Sequence, residues 1–297
     1  PLVLGHEIAG KVAEVGSNIS SFRRGDRVVA THHVPCLKCR LCQRGNETMC
    51  ETLRKTNYDP CGFSQFVRLP AINTRLGLFK IPDDISDDIA AAIMLKGMTA
   101  EYLIRRTYNV MPGQTVLFHA AAGGVGLIAC QWLKAIGATV IGTVGSQEKA
   151  ELAKANGCDH TILYKEENFV DKIKEITNGV GVPVVYDSVG KDTALQSLDC
   201  LSPLGLLVVF GNSSGNAPAI EPGLLATKGS LYVTRPTLFN YNDTREKLME
   251  SANQVFNMVR NGKVSIKIGS KYDLKDAVQA HKDLEARKTT GCTLLMP

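Results

Sequence analysis

The chain has 297 residues, 44% hydrophobic and 21% charged, which permits a large core and fits a globular protein of about two domains. No apolar stretch reaches the roughly 20 residues of a membrane span, and Pro1-Leu2-Val3-Leu4-Gly5-His6 reads as strand, without the basic start of a leader. The net charge of +5 is spread along the chain and aromatics are scattered at 6%, so the basic, aromatic-laced pattern of a nucleic-acid surface is missing.

Four of the nine cysteines, Cys36, Cys39, Cys42 and Cys50, follow the spacing C-x2-C-x2-C-x7-C. A disulfide framework belongs to small secreted chains and is not expected here. Four thiolates in one loop suit a tetrahedral zinc, with Zn–S near ~2.3 Å and every position filled by protein. Lys38, Arg40 and Arg44 lie among them and offset the negative charge of such a site. One zinc ion is expected per chain, structural because no position is open to substrate. The isolated cysteines, among them Cys130, read as small buried hydrophobes.

Further along, Gln114-Thr115-Val116-Leu117-Phe118-His119 reads as a buried parallel strand after the turn Pro112-Gly113. It runs into Ala120-Ala121-Ala122-Gly123-Gly124-Val125-Gly126, an amphipathic helix through Leu133-Lys134-Ala135, and a second strand, Ala138–Thr143. A strand, a glycine turn, a helix and a strand make the context in which a G-x-G-x-x-G-like motif binds a dinucleotide. Gly123 and Gly126 are its middle and last glycines, and Ala121 stands where the first would be. Gly123 and Gly124 free backbone N–H groups, with Val125 in the same turn, to meet a pyrophosphate at a helix N-terminus.

The end of the second strand chooses between NAD and NADP. An NAD site carries an acid about 20 residues past the glycines to accept the ribose 2′-hydroxyl. Here the chain reads Thr143-Val144-Gly145-Ser146-Gln147-Glu148-Lys149, with no acid at the expected place. Gly145 gives room, Ser146 a donor and Lys149 a charge for a 2′-phosphate, so NADP(H) is the expected cofactor. Apolar runs at Val182–Gly190, Gly205–Asn212 and Leu231–Thr234 continue the βα alternation of a doubly wound parallel sheet. Ligands bind beyond the carboxyl ends of such strands, which makes Ser188, Gly211 and Asn212 candidate contacts.

With these residues in view, the chain resembles the medium-chain dehydrogenase/reductase superfamily, whose α/β architecture joins a GroES-like β-rich catalytic domain to a Rossmann domain. Gly5-His6-Glu7-Ile8-Ala9-Gly10, Gly25-Asp26-Arg27-Val28 and the four-cysteine loop are similar to zinc alcohol and polyol dehydrogenases. From Met94 onward, Leu95-Lys96-Gly97-Met98-Thr99-Ala100, the glycine turn, Val185–Gly190, Phe210-Gly211-Asn212-Ser213-Ser214-Gly215 and Leu231–Pro236 resemble NADPH quinone oxidoreductases. The split leaves a chimeric origin open. The resemblance implies a catalytic domain over 1–97, a Rossmann domain over 98–236 and a return to the catalytic domain over 237–297. It places Tyr164 with Lys149 around the 2′-phosphate and Phe210 among the cofactor contacts, and it implies further strands ahead of Gly5. A cytoplasmic homodimer or homotetramer acting on a small molecule is expected.

In the zinc alcohol dehydrogenases the catalytic metal takes a His at the position of His6, with Glu7 behind it, and a downstream ligand at or beside Lys96. A protonated lysine about 4 Å from Zn²⁺ is repelled by roughly 8 kcal/mol at an effective dielectric of 20. The expectation is therefore no catalytic zinc, His6 as an interior hydrogen-bonded histidine, and hydride transfer from NADPH to a quinone or activated carbonyl, with His6, Glu7 and Lys96 as the candidate catalytic residues. A zinc-dependent alcohol or polyol dehydrogenase using NAD(P) is the alternative, and a non-enzymatic nucleotide- or RNA-binding protein a weaker one.

Overall fold

The structure is a computed structural model that describes residues 4–5, 7–31, 36, 38–46, 50–51, 62–69, 77–286 and 288–297. The chain divides into two units: Pro1–Met98 with Leu238–Gly262 and Ile266–Pro297, and Thr99–Thr237 with Lys263–Ser265.

In the first unit, strands β1 (Ile8–Lys11), β2 (Arg27–Ala30) and β3 (Leu78–Lys80) form an antiparallel sheet in the order β1-β2-β3. Phe22, Ala30 and Leu78 are buried against Ile8, Val12, Ile19, Val28 and Leu69. Of the expected strand over Pro1–His6, only Leu4 and Gly5 lie within the described residues, and there the expectation fails. Leu4 and Gly5 are not in a strand, because Gly5 has φ 99, off the extended backbone that a strand needs. Their carbonyls instead accept single hydrogen bonds, Phe63 N to Leu4 O at 2.8 Å and Gly62 N to Gly5 O at 2.6 Å.

The second unit holds β4 (Thr115–Phe118), β5 (Thr139–Val144), β6 (His160–Leu163), β7 (Val182–Asp187), β8 (Leu201–Val209) and β9 (Tyr232–Thr234). Their order is β6-β5-β4-β7-β8-β9 and every pairing is parallel. This is the Rossmann order 3-2-1-4-5-6, in which β4 and β7 flank the switch point where a ligand crevice opens. Leu117, Ile141, Val185 and Leu207 sit at its centre fully buried, as near-continuous apolar strands covered on both faces must be. β8 begins at Leu201, four residues before the apolar run that announces it. Its register shifts opposite Val182 and Val184, and Leu204 at φ 61 makes the irregular step, which hides that part of the strand from a pattern of alternation.

The remaining strands, β10 (Ile268–Asp273) and β11 (Cys292–Met296), pair in parallel within the first unit. Among the described residues no helix is long and apolar enough to cross a membrane.

Candidate functional site

The glycine turn leaves β4 and enters the helix Gly124–Ile136, with Gly123 at its N-cap. Ala120, not Ala121, takes the left-handed conformation, at φ 53. Ala121 is fully buried and its N–H donates to Thr143 O at 3.1 Å, tying the turn to β5. Gly123 N–H donates back to Ala120 O at 2.8 Å. A Cβ on Gly126 would lie 2.6 Å from both Ala120 O and Ala121 O, so only glycine lets the first helical turn pack this closely on the loop. Gly124 and Val125 follow as the first residues of that helix, where backbone donors have no intrahelical partners.

Beyond β5, Ser146 caps the helix Gln147–Ala155, its oxygen accepting from Lys149 N at 3.4 Å. The cap brings Ser146 and Lys149 onto one turn, and no salt bridge of Lys149 to an acid exists among the described residues. Tyr164 follows β6 and reaches over this turn: a Cβ on Gly145 would stand 3.1 Å from the Tyr164 hydroxyl. Gly145, Ser146, Lys149 and Tyr164 are thus one cluster.

The turns after β7 and β8 also meet. Ser213 N donates to Ser188 O at 3.1 Å, and a Cβ on Gly211 would lie 2.6 Å from Ser188 O. The Phe210 ring packs on Phe118, with centroids 5.6 Å apart, and Asn212 is exposed with its amide donating to Asn216 at 3.1 Å.

A buried polar chain that sequence reasoning missed runs below these turns. His119 is fully buried, with Nδ1 2.9 Å from Thr143 Oγ1 and Nε2 2.9 Å from Ser197 Oγ. Asp187, also fully buried, accepts from Val189 N at 2.7 Å, Gly190 N at 3.0 Å and Thr193 Oγ1 at 2.7 Å. Burial pushes the His119 imidazole below its usual range, against an opposing pull from Asp187. The available signal was a histidine at the end of an apolar strand.

In the first unit Glu7 and Lys96, the latter on the helix Asp87–Tyr102, form a half-buried ion pair. Burial alone would lower the Lys96 pKa, but the Glu7 carboxylate, with a smaller push from Cys292, holds it above the ordinary lysine range. Glu7 Oε1 is buried without a hydrogen-bond partner among the described residues, and His6 lies outside them.

The thiols of Cys36, Cys39, Cys42 and Cys50 all lie within 4.8 Å of one another. A tetrahedral zinc with Zn–S near ~2.3 Å spaces its sulfurs by about 3.8 Å, and Cys39 and Cys42 stand 3.5 Å apart at the start of the helix Arg40–Gln43. Backbone N–H groups already point at sulfur, Cys36 N at Cys50 at 3.2 Å and Cys39 N at Cys36 at 3.4 Å. Hydrogen bonding with the Cys42 backbone, then with that of Glu51, holds the Cys39 thiol below its usual range. The donor set fits a zinc ion. Cys130, Cys158, Cys200 and Cys292 are buried, and burial pushes the Cys200 thiol up to about 12, as for packing residues.

Comparison with known proteins gives two family matches, the alcohol dehydrogenase GroES-like domain over residues 1–83 and the zinc-binding dehydrogenase over residues 124–254. A quinone oxidoreductase of Pseudomonas aeruginosa is 46% identical over 297 residues, spanning 100% of this chain and 82% of the relative. The chain belongs to the medium-chain dehydrogenase/reductase superfamily. As a medium-chain dehydrogenase/reductase it is an oxidoreductase with the expected α/β, GroES-like plus Rossmann architecture. Two further members are similar. The Escherichia coli quinone oxidoreductase complexed with NADPH superposes with a TM-score of 0.84 at 44% identity, covering 99% of this chain and 82% of that one. A 2-haloacrylate reductase of Burkholderia sp is 41% identical over 301 residues, covering 100% of this chain and 81% of the relative.

Proposed function

We propose that this medium-chain dehydrogenase/reductase uses NADP(H) and passes hydride to a quinone or activated carbonyl, with a structural zinc in the four-cysteine loop and no catalytic zinc. The observation that carries the cofactor choice is the cluster beyond β5. Gly145, Ser146, Lys149 and Tyr164 gather there without an acid at the strand end, and Lys149 has no acidic partner among the described residues. A charge-assisted hydrogen bond to a 2′-phosphate is worth about 1.5–3 kcal/mol, enough for a clear preference over NADH.

The turn Ala121–Gly126 would hold the pyrophosphate, through N–H groups of Gly123, Gly124 and Val125 at the helix N-terminus. Ser188, Phe210, Gly211 and Asn212, at the ends of β7 and β8, would line the rest of the nucleotide. When bound, the nicotinamide supplies the hydride and the protein orients it. Glu7 and Lys96 are read as catalytic-domain residues that balance each other's charge. An ammonium already paired with Glu7 disfavours a divalent cation beside it, and offers an N–H donor to a developing oxyanion. His6 is assigned with them from its neighbourhood in sequence alone.

A homodimer or homotetramer is supported by β9, which ends the six-stranded sheet with Tyr232 and Val233 exposed on an edge that no other strand pairs among the described residues. A reducing cytoplasm suits Cys130, Cys158, Cys200 and Cys292, which stand as thiols outside any disulfide. The four-cysteine loop favours one rival, a zinc alcohol dehydrogenase. NADPH oxidation followed with a panel of quinones, before and after dialysis against a chelator, separates the two. Quinone-driven oxidation that survives the chelator is expected. Turnover of simple alcohols alone, abolished by the chelator and restored by zinc, would support the alcohol dehydrogenase instead.

A further inference from the structure

His119 presents an unusual choice of residue. An apolar side chain would fill the same hole in the sheet without the cost of desolvating an imidazole. Its backbone N–H donates to Tyr186 O on β7 at 2.9 Å, while its ring bridges Thr143 on β5 and Ser197 on the helix Ala194–Ser197. Ser197 Oγ donates to Thr193 O at 2.9 Å, so it accepts from His119 Nε2–H, and Nδ1 accepts from the Thr143 hydroxyl. Thr193 then donates to Asp187, whose other oxygen holds the N–H groups of Val189 and Gly190. The Phe169 ring stands edge-on to the imidazole at 5.0 Å.

The ends of this chain of bonds are the backbone segments that carry the cofactor candidates: the glycine turn, the turn beyond β5 and the turn beyond β7. The residue after His119 is Ala120, a non-glycine in the left-handed region, a conformation that costs of order 1–3 kcal/mol and persists only where neighbours over-determine it.

We propose that His119 is a positioning residue for the dinucleotide, a buried imidazole that fixes the spacing of the three cofactor turns through Thr143 and Ser197. The proposal rests on the NADP(H) reading above. A ligand spanning all three turns then depends on His119, whereas a fragment seated only on the turn beyond β5 does not. NADPH is the first kind of ligand; adenosine 2′-monophosphate, which keeps the 2′-phosphate and has no 5′-phosphate for the glycine turn, is the second.

The test titrates both ligands calorimetrically against wild type, Ser197→Ala, His119→Gln and His119→Asn, well below each protein's melting temperature, with steady-state kinetics alongside. Gln keeps the reach toward Ser197 and Asn the reach toward Thr143, so each retains one arm. Ser197→Ala should weaken NADPH about tenfold and adenosine 2′-monophosphate by no more than about twofold, the loss expected of one buried hydrogen bond felt only by the spanning ligand. KM for NADPH should rise while kcat with a quinone stays within about twofold. Should the His119 variants not fold, Ser197→Ala still decides. Unchanged NADPH affinity in that folded variant, or equal losses for both ligands, overturns the positioning role. Wild type that binds neither ligand overturns the cofactor reading itself, and this role with it.

Discussion

Lys96 and Glu7 form a half-buried ion pair between residues 89 positions apart in the chain. Burial lowers the Lys96 pKa, and the Glu7 carboxylate, with a smaller push from Cys292, more than offsets it and holds the ammonium above the ordinary lysine range. Lys96→Met leaves the half-buried Glu7 carboxyl without its partner, and should destabilise the protein by about 1–3 kcal/mol, below the cost of breaking a fully buried pair. The folded-state pKa of Lys96 is raised, so its contribution is complete below the unfolded value of about 10.4 and fades as pH rises through the folded one. Thermal melts from pH 8 to 11 should therefore show a steeper alkaline decline for wild type than for Lys96→Met. Parallel declines would mean that the pair adds nothing to stability.

The glycine turn makes a steric prediction. A methyl group at position 126 would press on two carbonyl oxygens at 2.6 Å, and backbone cannot give way as a flexible side chain can. Gly126→Ala should cost about 1–3 kcal/mol in stability, the usual range for overpacking, and weaken NADPH by shifting the amides of the turn. Wild-type melting and binding would show that the helix start has room to move.

For the four-cysteine loop, elemental analysis should return close to one zinc per chain. Cys39→Ser should lower the melting temperature, since structural zinc contributes folding energy directly. A metal-free protein that is as stable as the zinc-loaded one contradicts the structural assignment, and two zincs per chain would bring back the alcohol dehydrogenase.

What could be read from sequence was local. The C-x2-C-x2-C-x7-C spacing and the strand–glycine–helix pattern announce themselves within a few residues, and both correspond to built features. Tyr164 entered through resemblance only, because its approach to Gly145 depends on β5 and β6 pairing. The left-handed residue of the turn is an alanine, Ala120, which no propensity marks, whereas the glycine spacing points to Ala121. The bonds from His119 to Ser197 join residues 78 apart and exist only once the sheet has formed. The start of β8 is not legible in the sequence because Pro203 and Leu204 break its alternation.

The choice of NADP(H) over NAD(H) turns on Lys149. Titration of NADPH and NADH against wild type and Lys149→Ala tests it most directly. Wild type should bind NADPH more tightly, and Lys149→Ala should weaken NADPH by about tenfold or more, the loss of one charge-assisted contact, with NADH nearly unchanged. Equal losses for the two cofactors, or a wild type that prefers NADH, would contradict it.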